Sequence, residues 1–218
     1  MSRPVRGRRG RMSHQQKRRE LVTQLEQRES LSEETSDALR AVPRHKFVPA
    51  QHRSGAYNDR PLPIGDGQTI SAPHMVAIMT ELLGLSAGDT VLEIGTGCGY
   101  HAAVTAEVVG SENVYSVEYH DSLATRARET LESLGYGDIS VRTGDGKEGW
   151  PEHAPFDAIY LTCAAPAFPQ SLKDQLTVGG HLLGPVGKGQ QVLIRATKRS
   201  DDRFEREEHG YVRFVPLQ

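Results

Sequence analysis

The 218-residue chain has little cysteine and no long apolar segment. Its two cysteines, Cys98 and Cys163, are too few for a disulfide framework or for a zinc site built from thiolates, which is typical of a reducing compartment. No stretch approaches the ~20 consecutive apolar residues that a membrane helix needs, and no apolar run of the secretory type follows the Arg-rich start. These absences predict a cytoplasmic protein without a membrane-spanning segment.

Basic and acidic side chains are unevenly distributed. Residues 1–20 contain eight Arg or Lys and a single acid, Glu20, whereas the rest of the chain has an excess of Asp and Glu. Such a basic arm can bind nucleic acid or an acidic partner. Because no aromatic residue is interleaved with these charges, we interpret residues 1–17 as a disordered, solvated arm and expect no nucleic-acid binding. No heptad pattern indicates association, so we expect a monomer.

Residues 18–218 are predicted to form a single domain with two parts, 18–88 and 89–218. The first part begins with two helices over about 14–40, where apolar side chains recur at helical spacing. A loop rich in Pro and Gly follows at 42–69, and a loop of this length inside a domain is usually functional. Pro73 then predicts the start of a third helix that ends near Leu83.

From residue 89 onward, short apolar strands alternate with helices. We predict strands at 91–94, 113–118, 139–142, 158–161, 181–186, 192–197 and 211–215, with helices at 100–109 and 122–134. This alternation indicates an α/β fold with a doubly wound, mostly parallel seven-stranded sheet of the Rossmann-like type. Antiparallel strands are expected at the end of the chain, and the N-terminal helices are an addition to this core.

A glycine-rich loop directly follows the first predicted strand of the core, in the segment Glu93–Tyr100. Glycines allow a sharp turn and a close approach to a ligand, and ligands of such sheets bind beyond the carboxyl ends of the strands. The G-x-G-x-x-G pattern of dinucleotide sites is absent, and the carboxylate of Glu93 would repel a pyrophosphate. The cationic amino acid end of S-adenosylmethionine fits this acidic loop better. The candidate cofactor-binding residues here are Glu93, Gly95, Gly97, Gly99 and Tyr100.

Two more acids end the next two predicted strands. Glu118 lies where a carboxylate accepts the ribose hydroxyls in doubly wound folds, and Asp145, followed by Gly146, is suited to the adenine amino group. Each acid also has a structural alternative, because Glu118 could be a surface acid at a strand end and Asp145 could make a turn with Gly146. The presence of acids at three successive strand ends favours a nucleotide site.

Distinctive short motifs extend from about residue 18 to the end of the chain. They comprise Val42–Pro49, Ala56–Asp59, Pro61–Gly65, Gly67–Met75, Glu93–Tyr100, Phe156–Ile159, Ala164–Pro166, Gln175–Leu176, Gly179–Gly180 and Phe214–Leu217. Together they resemble the protein-L-isoaspartate O-methyltransferase family. The segment 65–73 is the most specific part, since methyltransferases in general do not share it.

The resemblance implies a class I S-adenosylmethionine-dependent methyltransferase fold. It also implies methyl transfer from S-adenosylmethionine to the side-chain carboxyl of L-isoaspartyl, and of D-aspartyl, residues in damaged proteins and peptides, which begins their repair. By the same resemblance, Ser71 belongs to the active site, and the cofactor is lined by Gln68, Thr69, Ile70 and Ser71. The substrate is expected to contact Val42, Phe47, Tyr57, Pro63 and Ile64. No metal is expected.

Alternative roles stay open for several of these residues. Ser71 could cap the helix that begins at Pro73. His74 and His101 lie in no metal-ligand spacing and beside no candidate nucleophile, so we interpret both as structural.

Three other functions compete: a methyltransferase of another acceptor, a non-catalytic member of the fold that binds isoaspartate or a partner protein, and a nicotinamide oxidoreductase. The glycine pattern argues against the last.

Overall fold

The computed structural model describes residues 12–218, so most of the predicted basic arm lies outside the described residues. The predicted helix start near residue 14 is confirmed, because helix α1 begins at His14, whereas the predicted end of the arm at residue 17 falls inside that helix. The cause is local. The Ser13 side chain accepts a hydrogen bond from the Gln16 N–H, and the Gln16 side chain accepts one from the Ser13 N–H. This capping box fixes the start of the helix.

The first part of the chain is helical, as predicted, with one small hairpin that was not predicted. The helices are α1 (His14–Arg28), α2 (Glu33–Ala41) and α3 (Pro73–Leu83), and short 3-10 helices span Arg44–Lys46 and Ala50–Gly55. Within the Pro-rich loop, β1 (Leu62–Gly65) pairs antiparallel with β2 (Gln68–Ile70). The turn between them uses left-handed backbone at Asp66, whose φ is 51°. Strands this short carry too little periodicity to be detected.

The second part alternates strands and helices. Its strands are β3 (Val91–Ile94), β4 (Val114–Glu118), β5 (Ser140–Thr143), β6 (Phe156–Leu161), β7 (Leu176–Val186), β8 (Gln191–Ser200) and β9 (Arg203–Val212). Its helices are α4 (Tyr100–Val109), α5 (Asp121–Ser133) and α6 (Gln170–Asp174). The last strand was predicted at 211–215, which is wrong in position, because β9 ends at Val212 and the chain then leaves the sheet.

The seven strands form one sheet in the order β5-β4-β3-β6-β7-β8-β9. The first five in this order are parallel, and β8 and β9 are antiparallel to their neighbours, as predicted. The chain runs outward from β3 to β5 and then returns to place β6 on the other side of β3. The crevice at this reversal is where ligands bind in doubly wound sheets.

Hydrophobic side chains cover both faces of the sheet. One cluster joins Leu25 and Leu39 of the N-terminal helices to Val104 of α4 and Val91 of β3. The other contains Phe156 and Leu172 on the opposite face. The N-terminal helices therefore pack into the same core as the α/β part. In the described range 12–218, every helix is too short or too polar to span a bilayer.

Candidate active site

A cleft of about 760 Å³ lies at the carboxyl ends of β3, β4 and β6. It lies at the chain reversal, as the topology requires. The predicted cofactor residues that line it are Gln68, Thr69, Ile70, Ser71, Glu93, Gly95, Gly97, Tyr100, Glu118 and Gly146. Thr162 and Cys163, which follow β6, line it as well. The hairpin, the glycine loop and three strand ends thus meet around one space.

Close packing requires glycine in this cleft. A Cβ at Gly95 would lie 2.4 Å from Thr162 Oγ1, and one at Gly146 would lie 2.4 Å from Ile94 Cγ2. Both distances are far below van der Waals contact, and Gly95 also has a φ of 99° that other residues rarely adopt. Thr162 Oγ1 donates a hydrogen bond to the Gly95 carbonyl at 2.5 Å, which fixes the first turn of the loop.

Glu93 lies at the bottom of the cleft with no exposed surface. Its carboxyl accepts hydrogen bonds from Ser116 Oγ at 2.5 Å and from Tyr160 Oη at 3.0 Å. Burial raises the pKa of this carboxyl to about 8, against the two hydrogen bonds, which lower it. The nearby carboxylate of Glu118 raises it further.

Glu118 holds the glycine loop in place. Its Oε2 accepts a hydrogen bond from the Gly97 N–H at 2.8 Å, and its Oε1 accepts one from the His120 N–H at 3.0 Å. The side chain is almost buried and faces the cleft. Glu118 is therefore not a free surface acid, which was the structural alternative for this residue.

Two predicted cofactor residues do not line the cleft. Gly99 lies at the start of α4 with left-handed backbone, and a Cβ there would be 3.1 Å from Leu131 Cγ, so it serves helix packing. Asp145 caps the 3-10 helix Gly146–Glu148, where its Oδ1 accepts the Lys147 N–H at 2.8 Å. In this conformation the Asp145 carboxylate makes the turn that was its structural alternative.

A second cavity adjoins the cleft. Its walls come from Pro61, Thr69, Ser71, Ala72, His74, Met75, Thr162, Tyr211, Val212, Arg213, Phe214 and Val215. Thr69, Ser71, Thr162 and Val215 also line the cleft, so the two spaces share a wall. The charged or titratable side chains among these residues are His74, Tyr211 and Arg213, and no carboxylate is among them. Sequence reasoning missed most of this cavity and interpreted His74 as purely structural.

The segment 213–218 crosses the strand ends and forms part of both cavities. The Gln191 side chain accepts the Phe214 N–H at 2.6 Å and donates to the Phe214 carbonyl at 3.0 Å. Beyond it, the Val215 carbonyl accepts the Ala164 N–H at 2.8 Å, and Leu217 N–H donates to the Ala164 carbonyl at 2.8 Å.

None of the predicted substrate residues lines this second cavity. Val42 is fully buried in the core, and Tyr57 is buried with its hydroxyl 2.7 Å from His45 Nδ1. Phe47 packs edge-on against Tyr100, with ring centroids 5.6 Å apart, and so supports a residue of the cleft. Phe47 and Ile64 line a separate depression behind the glycine loop, and Pro63 is exposed. Their proposed contact with substrate stays a prediction.

Ser71 lies in the wall common to both cavities. The N-cap of α3 is Ala72, without a side-chain capping bond, so Ser71 does not cap this helix. Among the described residues, the Ser71 hydroxyl has no hydrogen-bond partner, whereas the capping serines Ser13 and Ser32 are both bonded. The hydroxyl is therefore available to a ligand.

Comparison with known proteins agrees with this geometry. The family model described as protein-L-isoaspartate(D-aspartate) O-methyltransferase matches residues 15–218. The chain belongs to this family. It is 52% identical over 208 residues to protein-L-isoaspartate O-methyltransferase 2 of Archaeoglobus fulgidus, covering 95% of each chain. It is 50% identical over 204 residues to the enzyme of Methanothermobacter thermautotrophicus, covering 92% of this chain and 94% of the relative.

Solved structures agree with the fold. A protein-L-isoaspartate O-methyltransferase structure superposes with a TM-score of 0.86 at 31% identity, covering 92% of this chain and 66% of that chain. A putative family member from Plasmodium falciparum, in complex with S-adenosyl-L-homocysteine, has a TM-score of 0.80 at 24% identity and covers 92% and 98%. The second similarity supports the fold alone.

The lining of the cleft suits S-adenosylmethionine. Two carboxyl groups, Glu93 and Glu118, face it, and no Lys or Arg is among its lining residues in the described chain. An acidic, partly apolar cleft favours a cation that carries an adenosine. The glycines at 95 and 146 allow Thr162 and Ile94 to pack tightly in the wall of the cleft.

Proposed function

We propose that this chain methylates the free carboxyl group of L-isoaspartyl, and of D-aspartyl, residues in damaged proteins and peptides, with S-adenosylmethionine as the methyl donor. Membership of the family supports the reaction. The observation that carries the assignment of the two cavities is their common wall, made of Thr69, Ser71, Thr162 and Val215. A methyl group can pass between two ligands only where they touch, and this wall borders both spaces.

The acidic cleft is the proposed donor site. Glu118 would hold the ribose while keeping the Gly97 N–H in place, and Glu93 would face the charged part of the cofactor. When bound, S-adenosylmethionine supplies a methyl group on a positively charged sulfur. Ile70, Val117 and Leu217 give the cleft its apolar surface.

The second cavity is the proposed acceptor site. The substrate carries a carboxylate, and the cavity has Arg213 and His74 but no acidic lining residue. The guanidinium charge of Arg213 attracts an anionic substrate toward this cavity, whereas the ring of His74 is paired with the Asp59 carboxylate. The proposed role of Ser71 is to donate a hydrogen bond that orients the substrate carboxylate toward the donor cleft.

The chain needs no strong general base for this reaction. A carboxylate is already ionised at neutral pH and is a competent nucleophile. Its reactivity increases when the water that stabilises its charge is removed and when it is held at attack distance. Met75, Phe214 and Val215 give the acceptor cavity an apolar surface, and Ser71 is the residue proposed to hold the carboxylate at attack distance.

The decisive experiment compares two peptides that differ only in L-isoaspartate against L-aspartate. Each is incubated with the chain and radiolabelled S-adenosylmethionine, and methyl ester is scored as base-labile methanol. We expect label only in the isoaspartyl peptide. Label in neither, with normal cofactor binding, would overturn the proposed substrate. Label in both peptides would mean that the acceptor cavity does not distinguish the isoaspartyl linkage from the normal one.

We further infer that the chain acts as a monomer in the cytoplasm, without nucleic acid. The sequence has no heptad pattern that would indicate association, which supports a monomer. The free cysteines Cys98 and Cys163 fit a reducing compartment. Light scattering of the purified protein tests the monomer, and titration with a labelled oligonucleotide tests the absence of nucleic-acid binding.

A further inference from the structure

Arg44 places a positive charge in the interior of the protein. Its side chain has no exposed surface, and its Nε donates a hydrogen bond to the Ala56 carbonyl at 2.9 Å. Neither Nη1 nor Nη2 has a hydrogen-bond partner among the described residues. An arginine side chain does not lose its proton in proteins, and a buried charge without a partner is costly. Some other contact must therefore offset this cost.

The charge of Arg44 is not part of a salt bridge. In the described part of the chain, no carboxylate forms an ion pair with it, and Asp59 attracts it only from a distance. The two oxygens of Asp59 are already bonded, one to Arg28 and the other to His74. Ion pairing thus does not explain why a guanidinium occupies this part of the core.

The group that Arg44 does contact is the ring of Tyr100. The guanidinium carbon lies over this ring, 4.9 Å from its centroid, which is the geometry of a cation–π contact. Phe47 packs edge-on against the same ring, with centroids 5.6 Å apart. None of the described residues forms a hydrogen bond with the Tyr100 hydroxyl. The orientation of the ring therefore depends on its packing against these two neighbours and not on its polar end.

Tyr100 connects this buried charge to the donor cleft. It is the first residue of α4, directly after the glycine loop, and it lines the cleft. Arg44 itself lines neither the cleft nor the acceptor cavity. An effect of Arg44 on the cofactor therefore has to pass through a lining residue, and Tyr100 is the one whose ring it covers.

We infer that Arg44 is a positioning residue of the donor site, which holds the Tyr100 ring in the wall of the cleft in the orientation that binds S-adenosylmethionine. This inference rests on the proposed function. A wall that is already ordered in the free protein loses less conformational freedom on binding, so the affinity is higher. The unpaired charge lowers the stability of the fold and raises the affinity for the cofactor. Removal of the charge should therefore change the two properties in opposite directions.

Arg44→Met tests this opposition, because it removes the charge and keeps a long, flexible side chain in the core. Replacement of buried charged groups by hydrophobic residues is often neutral or stabilising, so Tm should stay the same or rise. Loss of the cation–π contact should raise Kd for both S-adenosylmethionine and S-adenosylhomocysteine about three- to tenfold in calorimetry. A purely structural Arg44 gives the reverse pattern, a lower Tm with an unchanged Kd, and this result would overturn the inference.

Arg142→Met is the matched control. The guanidinium carbon of Arg142 lies 4.7 Å from the centroid of the Trp150 ring, and neither of these residues lines the cleft. The substitution thus removes a cation–π contact of similar geometry outside the donor site, and Kd should not change. An equal rise of Kd in Arg142→Met and Arg44→Met would mean that the effect does not depend on the ring in the cleft, which also overturns the inference.

A double-mutant cycle tests whether Tyr100 is the link. Tyr100→Leu should itself raise Kd, and Arg44→Met should raise it no further in that background, because the ring is gone. Tyr100→Phe keeps the ring, so the effect of Arg44→Met should persist there. Additive effects of Arg44→Met and Tyr100→Leu would mean that Arg44 does not act through Tyr100.

If Arg44→Met does not fold, Arg44→Lys replaces it in the cycle. Lysine lacks the planar group that stacks on an aromatic ring, so Kd should again rise, and the rise should again be absent with Tyr100→Leu. An unchanged Kd in the variant that folds would overturn the inference. If neither ligand binds the unaltered chain, the proposed donor site itself fails; if both bind and substitution of Arg44 leaves Kd unchanged, only this inference fails.

Discussion

Asp59 holds His74 through two bonds: its Oδ1 accepts the His74 backbone N–H at 2.9 Å and lies 2.9 Å from the ring Nδ1. This pairing leaves Nε2 as the ring nitrogen available to a ligand in the acceptor cavity. Asp59→Ala should therefore raise KM for an isoaspartyl peptide about fivefold and leave Kd for S-adenosylmethionine unchanged. Arg28→Ala is the matched control, because Arg28 meets the other carboxylate oxygen in an exposed ion pair of small energetic value. If Asp59→Ala and Arg28→Ala raise KM equally, the pairing of Asp59 with His74 does not contribute to substrate binding.

Ser71→Ala tests the residue in the common wall. We expect kcat to fall between about tenfold and a hundredfold, which corresponds to about 1.4 to 2.7 kcal/mol of transition-state stabilisation. Kd for S-adenosylmethionine should change less than twofold, and Tm should stay constant because Ser71 caps no helix. Ser32→Ala is the contrasting variant. Ser32 accepts the Thr35 N–H at the start of α2, so its loss should lower Tm and spare kcat. A lower Tm with normal kcat in Ser71→Ala would contradict the proposed role.

Glu118 and Asp145 are expected to differ in their effect on cofactor binding, because only Glu118 lines the cleft. Glu118→Ala removes the acceptor of the Gly97 N–H and the proposed ribose contact, so Kd for S-adenosylmethionine should rise more than tenfold in calorimetry. Asp145→Ala removes a capping side chain outside the cleft and should change Kd less than threefold. A larger effect from Asp145 than from Glu118 would support the adenine contact that the sequence predicted.

Arg213 is expected to attract the substrate. Arg213→Ala should raise KM for an isoaspartyl peptide several-fold, with kcat nearly constant, because the guanidinium lies in the wall of the acceptor cavity and not in the common wall. The dependence of KM on salt concentration should weaken in the same variant, since screening acts on the removed charge. Arg206→Ala is the control, as Arg206 is an exposed residue of β9 that lines neither cavity. A KM unaffected by Arg213→Ala would contradict the role of this charge.

The donor half of the site could be predicted from the sequence because its signals are local. The glycines after β3 and the acids at the ends of β3 and β4 are adjacent to their strands, and the parallel sheet brings those ends together. Asp145 shows the limit of this reasoning. A position at the end of a strand does not determine the direction in which a short polar side chain points. The Asp145 carboxylate accepts a hydrogen bond from the Lys147 N–H instead of facing the cleft.

The acceptor half could not be predicted because it depends on distant segments. His74 and Arg213 come together only after the chain following β9 crosses the strand ends, and Gln191 determines that path. Nothing near His74 in the sequence indicates this. The position of β9 was missed for a related reason. Its residues are mostly exposed and charged, so no alternation of buried and exposed side chains marks the strand.

The shared wall has a consequence for redesigning the specificity of this protein. Enlarging the side chain at Thr69, Ser71, Thr162 or Val215 would intrude on the donor and acceptor spaces together, because these residues line both. Libraries aimed at a new acceptor should instead vary the opposite side of the acceptor cavity, at Pro61, Met75, Tyr211 and Arg213. Variants from that side can change the acceptor while the donor cleft keeps its original contacts.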